Sequence, residues 1–238
     1  MFGAEDKLDP DNGPEEIINI LGAYNRNPAE IRDYFSLDHR ESALQSLESL
    51  ENSLGQVFRK SGNWKWVIIK IHDALFQAIT GALSGHNELN HLRTGGRKKK
   101  LKILQCRNKK ARQELINGAG KSICQVAGFD ELWKRACGKD WMHGQCLEPN
   151  PQQTKEVEEV MHLRNYLIHP DASVHSIWIP MLPSYVRTAI DFTTSLLRHH
   201  PYHVTHFSES QRERLSAVSQ NIKDHLTAAE EIWPMPTD

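Results

Sequence analysis

Apolar side chains recur every three or four residues from about Asp38 to Lys60. Leu44, Leu47, Leu50, Leu54, Val57 and Phe58 fall along one stripe, with glutamates between them. That period predicts a long amphipathic helix. Ser61, Gly62 and Asn63 break it, and Trp64 to Leu83 follows with a wider apolar face of Val67, Ile68, Ile71, Leu75, Ile79 and Leu83. So wide a face predicts a helix at the centre of a bundle, and the short connection predicts an antiparallel hairpin. The segment is also long enough to cross a bilayer, but Lys65, Lys70, His72, Asp73 and Gln77 interrupt it. Each ionised group near a bilayer centre costs about 2.5–3.5 kcal/mol. A buried amphipathic helix is therefore expected, and no membrane partner.

The remaining pattern is helical with polar breaks. Residues 1–14 read as a loose tail, and Pro14 before Glu15 and Glu16 suits a helix start, so short helices are expected at 15–23 and 28–35. Further helices are expected at 107–117, at 129–137, and from Thr154 up to the residue before Pro170, after a Gly- and Pro-rich loop at 138–153. An extended passage should cover 171–183, and helix resumes at 184–199. Ser208 and Gln211 form a capping-box pattern opening a last helix at 209–232. No strand-rich block or internal repeat intervenes. The expectation is an all-α antiparallel bundle: short helices within 1–37, a helical domain at 38–207 and an extra C-terminal helix within 208–238.

Composition adds little, with 39% apolar and 25% charged residues as in ordinary soluble proteins. The net charge of −1 conceals one uneven region: half of residues 93–112 are Lys or Arg, and none is acidic. Arg97, Lys98, Lys99, Lys100, Lys102, Lys109 and Lys110 could track a phosphate backbone, without base preference because no aromatic residue is interleaved. A solvated face is the plainer reading of the same run. The four cysteines are few and irregularly spaced, and the opening residues are acidic rather than signal-like, so a reduced cytoplasm is expected. Cys137, His143 and Cys146 lack a CxxC pair and a fourth ligand, and neither a metal nor a cofactor is expected. Gly118 to Ser122 suggests a phosphate loop, but Leu115 stands where the first glycine belongs and no strand precedes it. The histidines at 199, 200, 203 and 206 read as a solvated loop at a helix end, and His72 reads as a satisfied core or interface histidine.

The pattern richest in chemistry is Arg164-Asn165-Tyr166-Leu167-Ile168-His169, of the form R-N-x-x-x-H. The Arg-to-His spacing alone is weak, since Arg198 and His203 repeat it, but asparagine follows only the first arginine. Cleaving RNA without metal requires a base for the 2′-hydroxyl, an acid for the leaving 5′-oxygen and positive charge on the phosphorane. Histidine can be either base or acid. Arginine stays charged and its planar fork matches phosphate oxygens, while asparagine can orient the phosphate or the imidazole. Five residues along a helix turn the side chain by about 140°. Arg164 and His169 can converge within one chain only if the helix ends between them, which Pro170 would favour. The alternative is an Arg164 ion pair with Glu156 or Glu159, with His169 capping the helix.

On this hexapeptide, and on the helix order across residues 38–200, the chain resembles the HEPN superfamily. The resemblance implies a metal-independent endoribonuclease with Arg164, Asn165 and His169 as catalytic residues, completed across a homodimer, with RNA as substrate. It further implies products with a 2′,3′-cyclic phosphate and a 5′-hydroxyl, and a toxin or anti-phage role with an antitoxin or defence-system partner. His72 and Asp73 could line the same cleft. Asp171 stands where toxins of this type that pair with nucleotidyltransferase antitoxins carry a tyrosine, a departure from that arrangement. The other reading is a non-catalytic helical module that binds a protein or nucleic acid.

Overall fold

The structure is a computed structural model that describes residues 38–84, 90–106, 110–111, 114–115, 125–139, 142, 146–169 and 176–236. The short helices expected at 15–23 and 28–35 lie outside these residues, as do Lys109, residues 118–122, His143, Pro170 and Asp171. Asp38–Asp238 forms one compact unit.

Helix α1 (His39–Val57) begins at Asp38, whose carboxylate accepts from the Arg40 amide at 3.0 Å and supplies the N-cap. Its leucine stripe is buried, as the period requires. After a 3₁₀ turn at Ser61–Asn63, helix α2 (Trp64–Ser84) runs back along α1, giving the expected hairpin and the most extensive helix pairing in the unit. Helix α2 also meets α4 (Phe129–Ala136), α5 (Pro151–Ile168), α6 (Leu182–His199) and α7 (Pro201–His206). Its apolar surface, long enough by composition to cross a membrane, is here spent on other helices, with 72% of the most apolar stretch buried. The hydroxyls it buries donate back to the preceding turn, Thr80 to the Phe76 carbonyl and Ser84 to that of Thr80, both at 2.7 Å.

Helix α8 (Glu209–Ile232) opens with the Ser208–Gln211 capping box and lies on α1 and α6 of its own chain. Arg214 spans Glu41 and Glu48 of α1, and Trp233 stacks on Phe58 with ring centroids 6.1 Å apart. The described residues are helical with no β-sheet; one isolated antiparallel bridge joins Leu92 and Val126.

Three local expectations need correction, and one helix lies outside those expected: α3 (Thr94–Gln105) occupies much of the basic run. Gly95 and Gly96 fall in its first turn, where amides lack intrahelical partners anyway, and lysine and leucine are good helix formers beyond it. Helix α5 starts at Pro151 rather than Thr154, because Asn150 caps it reciprocally with Gln153 and proline suits the first position. The passage before α6 is not extended throughout: Ile179–Met181 is a 3₁₀ turn, and α6 begins at Leu182. The histidine tract is not a solvated loop either, since His200 and His203 are buried, His203 on the short α7.

Gly81 explains how His203 enters the core. The ring Nε2 lies 2.9 Å from the Ala78 carbonyl, and a Cβ at position 81 would come within 2.6 Å of the ring Cε1. Gly81→Ala should therefore lower stability. Overpacking costs about 1–3 kcal/mol and outweighs the roughly 1 kcal/mol that alanine gains as a helix former. Urea melts should show a lower midpoint, and a higher one would mean that the ring yields without cost.

Candidate functional site

Helix α5 carries the hexapeptide on its last turns. Val157 and Val160 are buried on its inner face, and Arg164 continues their line, seven residues beyond the first and four beyond the second. A charged residue thus stands where the apolar stripe would go on. The nearby group on α2 is His72, which is buried, with its ring 4.7 Å from that of Phe129. Burial pushes the His72 imidazole down to about 4, and the positive charge of Arg164 pushes it the same way. His72 is accordingly neutral at neutral pH, and the guanidinium stands within electrostatic reach of it. Asp73, the next residue, is exposed.

Asn165 and His169 are both exposed and, four residues apart, share one exposed face of α5 with Glu158 and His162. One contact joins the two faces, as Arg164 Nη1 donates to Asn165 Oδ1 at 3.0 Å. Helix α5 does not end early enough to aim Arg164 and His169 together. It runs to Ile168, and the His169 amide still donates to the Asn165 carbonyl at 3.0 Å. The reason is local. Proline removes only its own amide, so every helical bond up to residue 169 survives Pro170. The two side chains therefore leave the helix about 140° apart, and one chain alone does not bring them together.

The plain structural alternative fits these residues in part. His169 does occupy the C-cap of α5. Glu156, however, is not the partner of Arg164. Its buried carboxylate accepts from Gln152 Nε2 at 2.9 Å, from Ser184 Oγ at 2.8 Å and from the Thr188 hydroxyl, fastening α5 to α6. This clamp sets the position of the helix that carries the hexapeptide.

Two features escaped the sequence reading. His162 precedes Asn165 by three residues and His169 by seven, a helical spacing that would have flagged it. With Phe129, Trp133 and Met161 it lines a pocket of about 290 Å³ between α4 and α5. The larger pocket, about 390 Å³, lies on another side of α5 against Trp178 and Tyr185 and had no linear signal at all.

Of the basic residues, Lys98, Lys99, Lys102 and Lys110 are exposed, whereas Arg97 and Lys100 are half-buried. Lys98, Lys99 and Lys102 occupy one sector of α3, about 100° wide. The start of α3 is held by Arg135 of α4, a buried guanidinium that donates to the carbonyls of Asn90 and Leu92 at 2.6 Å each and also pairs with Glu131. Among the described residues no cluster of three or more His, Cys, Asp or Glu forms a metal-binding group. The Cys137 thiol is pushed up to about 11 by burial, with Cys146 adding to the effect. No protein-family model, curated protein or solved structure matches the chain.

Proposed function

We propose that the chain is a metal-independent endoribonuclease of HEPN type that acts as a homodimer. The observation that carries this reading is the division of the hexapeptide: Arg164 on the line of the buried face of α5 and within electrostatic reach of a neutral His72, Asn165 and His169 exposed on another face, and an Arg164–Asn165 hydrogen bond between them. A second copy meeting this corner about a two-fold axis would bring the imidazole of one chain toward the guanidinium of the other. An exposed apolar side chain favours such a meeting, since Ile168 adjoins His169.

In the proposed reaction the RNA 2′-oxygen attacks phosphorus and the bond to the 5′-oxygen breaks. The imidazole takes the 2′-hydroxyl proton and, as the imidazolium so formed, gives it to the leaving oxygen. Arg164 offsets charge on the phosphorane, and Asn165 holds the arginine fork in place. Localisation in a reducing cytoplasm and a toxin or anti-phage role belong to the same proposal. Purified protein should cut RNA in excess EDTA and leave 2′,3′-cyclic phosphate ends. Equal cutting by His169→Ala protein would remove the assignment.

A second reading is favoured by the lysine sector of α3, namely a nucleic-acid-binding module without catalysis. It predicts salt-sensitive RNA binding that falls with Lys98, Lys99 and Lys102 substitution, and no cleavage in any buffer.

A further inference from the structure

The pocket between α5, the Ser176–Met181 segment and α6 has the make-up of a small-molecule site. Its volume, about 390 Å³, lies within the roughly 300–1,000 Å³ of such sites. Three aromatic rings line it, Tyr166, Trp178 and Tyr185, with Met181 beside them. The polar groups are few and ordered. Lys155 and Glu159 stand one helical turn apart on α5 and both reach the pocket. Glu159 lines the pocket together with Tyr185, whose phenol is raised by burial and, next, by the Glu159 carboxylate. The Tyr185 hydroxyl is directed to Met181 Sδ at 3.6 Å, so this residue offers the pocket a ring face more than a donor. Among the described residues neither Lys155 nor Glu159 has a hydrogen-bond or ion-pair partner.

We propose that this pocket is a guanine-reading subsite for RNA, with Trp178 as the stacking surface, Glu159 as the reader of the base edge and Lys155 beside it. The order of polar groups selects the base. Guanine alone presents two adjacent N–H donors on its Watson–Crick edge, N1–H and the N2 amino group, which a carboxylate accepts as a pair. The neighbouring O6 is an acceptor and suits an ammonium one turn away. Adenine and cytosine each put an acceptor where the carboxylate would need a donor, and uracil offers one donor between two carbonyls. Trp178 is 51% exposed, a large ring held at the pocket rim where a base can lie on it. Tyr166 belongs both to this pocket and to the hexapeptide. The subsite therefore borders the helix turns assigned to cleavage. For RNA as its ligand, the inference rests on the ribonuclease reading.

Titration of the full chain with 5′-GMP, 5′-AMP and 5′-UMP, followed by tryptophan fluorescence and calorimetry, tests the pocket without reference to cleavage. GMP should bind about tenfold or more tighter than the others, the discrimination of one bidentate edge contact. Glu159→Gln presents one acceptor and one donor, so it should lose the guanine preference and shift toward adenine. Lys155→Met should weaken GMP without that shift. Trp178→Ala should weaken all three nucleotides by a similar factor, because stacking is blind to sequence. A short oligouridylate with one guanosine should bind better than its adenosine counterpart. Preference for free GMP without preference in the oligonucleotide would overturn RNA as the ligand. Equal binding of GMP and AMP, no saturable binding, or an unchanged preference in Glu159→Gln would overturn the subsite. Guanine-selective binding by a chain that cuts no RNA supports the pocket and removes the ribonuclease reading, so the two can fail separately.

Discussion

His169→Ala protein is expected to cut RNA in EDTA about 10²–10⁴-fold more slowly than wild type, the usual worth of a positioned proton-transfer group. The fold should be unaffected, because His169 is exposed at the C-cap of α5 and buries no packing surface. Arg164→Ala should lose at least as much activity, but it is a less clean variant. The guanidinium stands in line with Val157 and Val160 and acts on His72, so its removal also takes away a positive charge that holds that ring neutral. Arg164→Lys keeps the charge while giving up the planar fork. It should leave the stability unchanged and still lower cleavage by a large factor. A mixture of inactive Arg164→Ala and inactive His169→Ala chains offers a sharper check. If each site draws its arginine from one copy and its histidine from the other, mixed dimers regain one intact site, and part of the activity returns. No recovery on mixing, with each variant folded and dimeric, would count against a site shared between copies.

Acidification should destabilise the protein in a window set by two buried rings. His72 and His203 are both held at about 4 by burial; Arg164 adds to the effect at His72, while at His203 the hydrogen bond to the Ala78 carbonyl opposes it. In the unfolded chain they titrate near 6.5. Between these values the unfolded state binds more protons than the folded one, so stability rises with pH. The stabilisation is complete above about pH 6.5, is lost progressively as pH falls toward 4, and changes no further below that. Each ring contributes on the order of 3 kcal/mol, and the two together are comparable with the about 5–15 kcal/mol total of an ordinary domain. Carboxylates act lower. The hydrogen-bonded Arg40 guanidinium holds Asp38 below its usual value, and Gln211, then Arg214, do the same for Glu41. Their contributions disappear only below the carboxylate range. Urea melts at pH 7, 5.5 and 4.5 should show falling midpoints, and His72→Phe should flatten the slope. A midpoint constant from pH 7 to 4.5 would mean that the rings take up protons without unfolding.

The helices were legible wherever burial acts on one continuous stripe. Leu44 to Val57 and Val67 to Leu83 had to be buried whatever lay opposite, so their period alone marked α1 and α2 and the hairpin between them. Starts were legible where the cap is a local pattern, as at Ser208, and could have been read at Asn150 from the proline and glutamine that follow it. Helix α3 carried no amphipathic period, because Leu101, Ile103 and Leu104 cluster toward its end behind seven residues without an apolar side chain.

What the sequence settled by itself was the class of fold, the order of its main helices and the place of the Arg164 to His169 hexapeptide at the end of one of them. Each of these depends on neighbours within a turn or two, where covalent geometry and local burial leave little choice. Tertiary packing decided the rest. It brought Arg164 within electrostatic reach of His72, 92 residues earlier in the chain, turned His203 into the core against Gly81, and closed a pocket from Lys155, Glu159, Trp178 and Tyr185. Contacts of that kind depend on how helices lie on one another, and side chains far apart in the chain carry no shared period by which a linear reading could pair them.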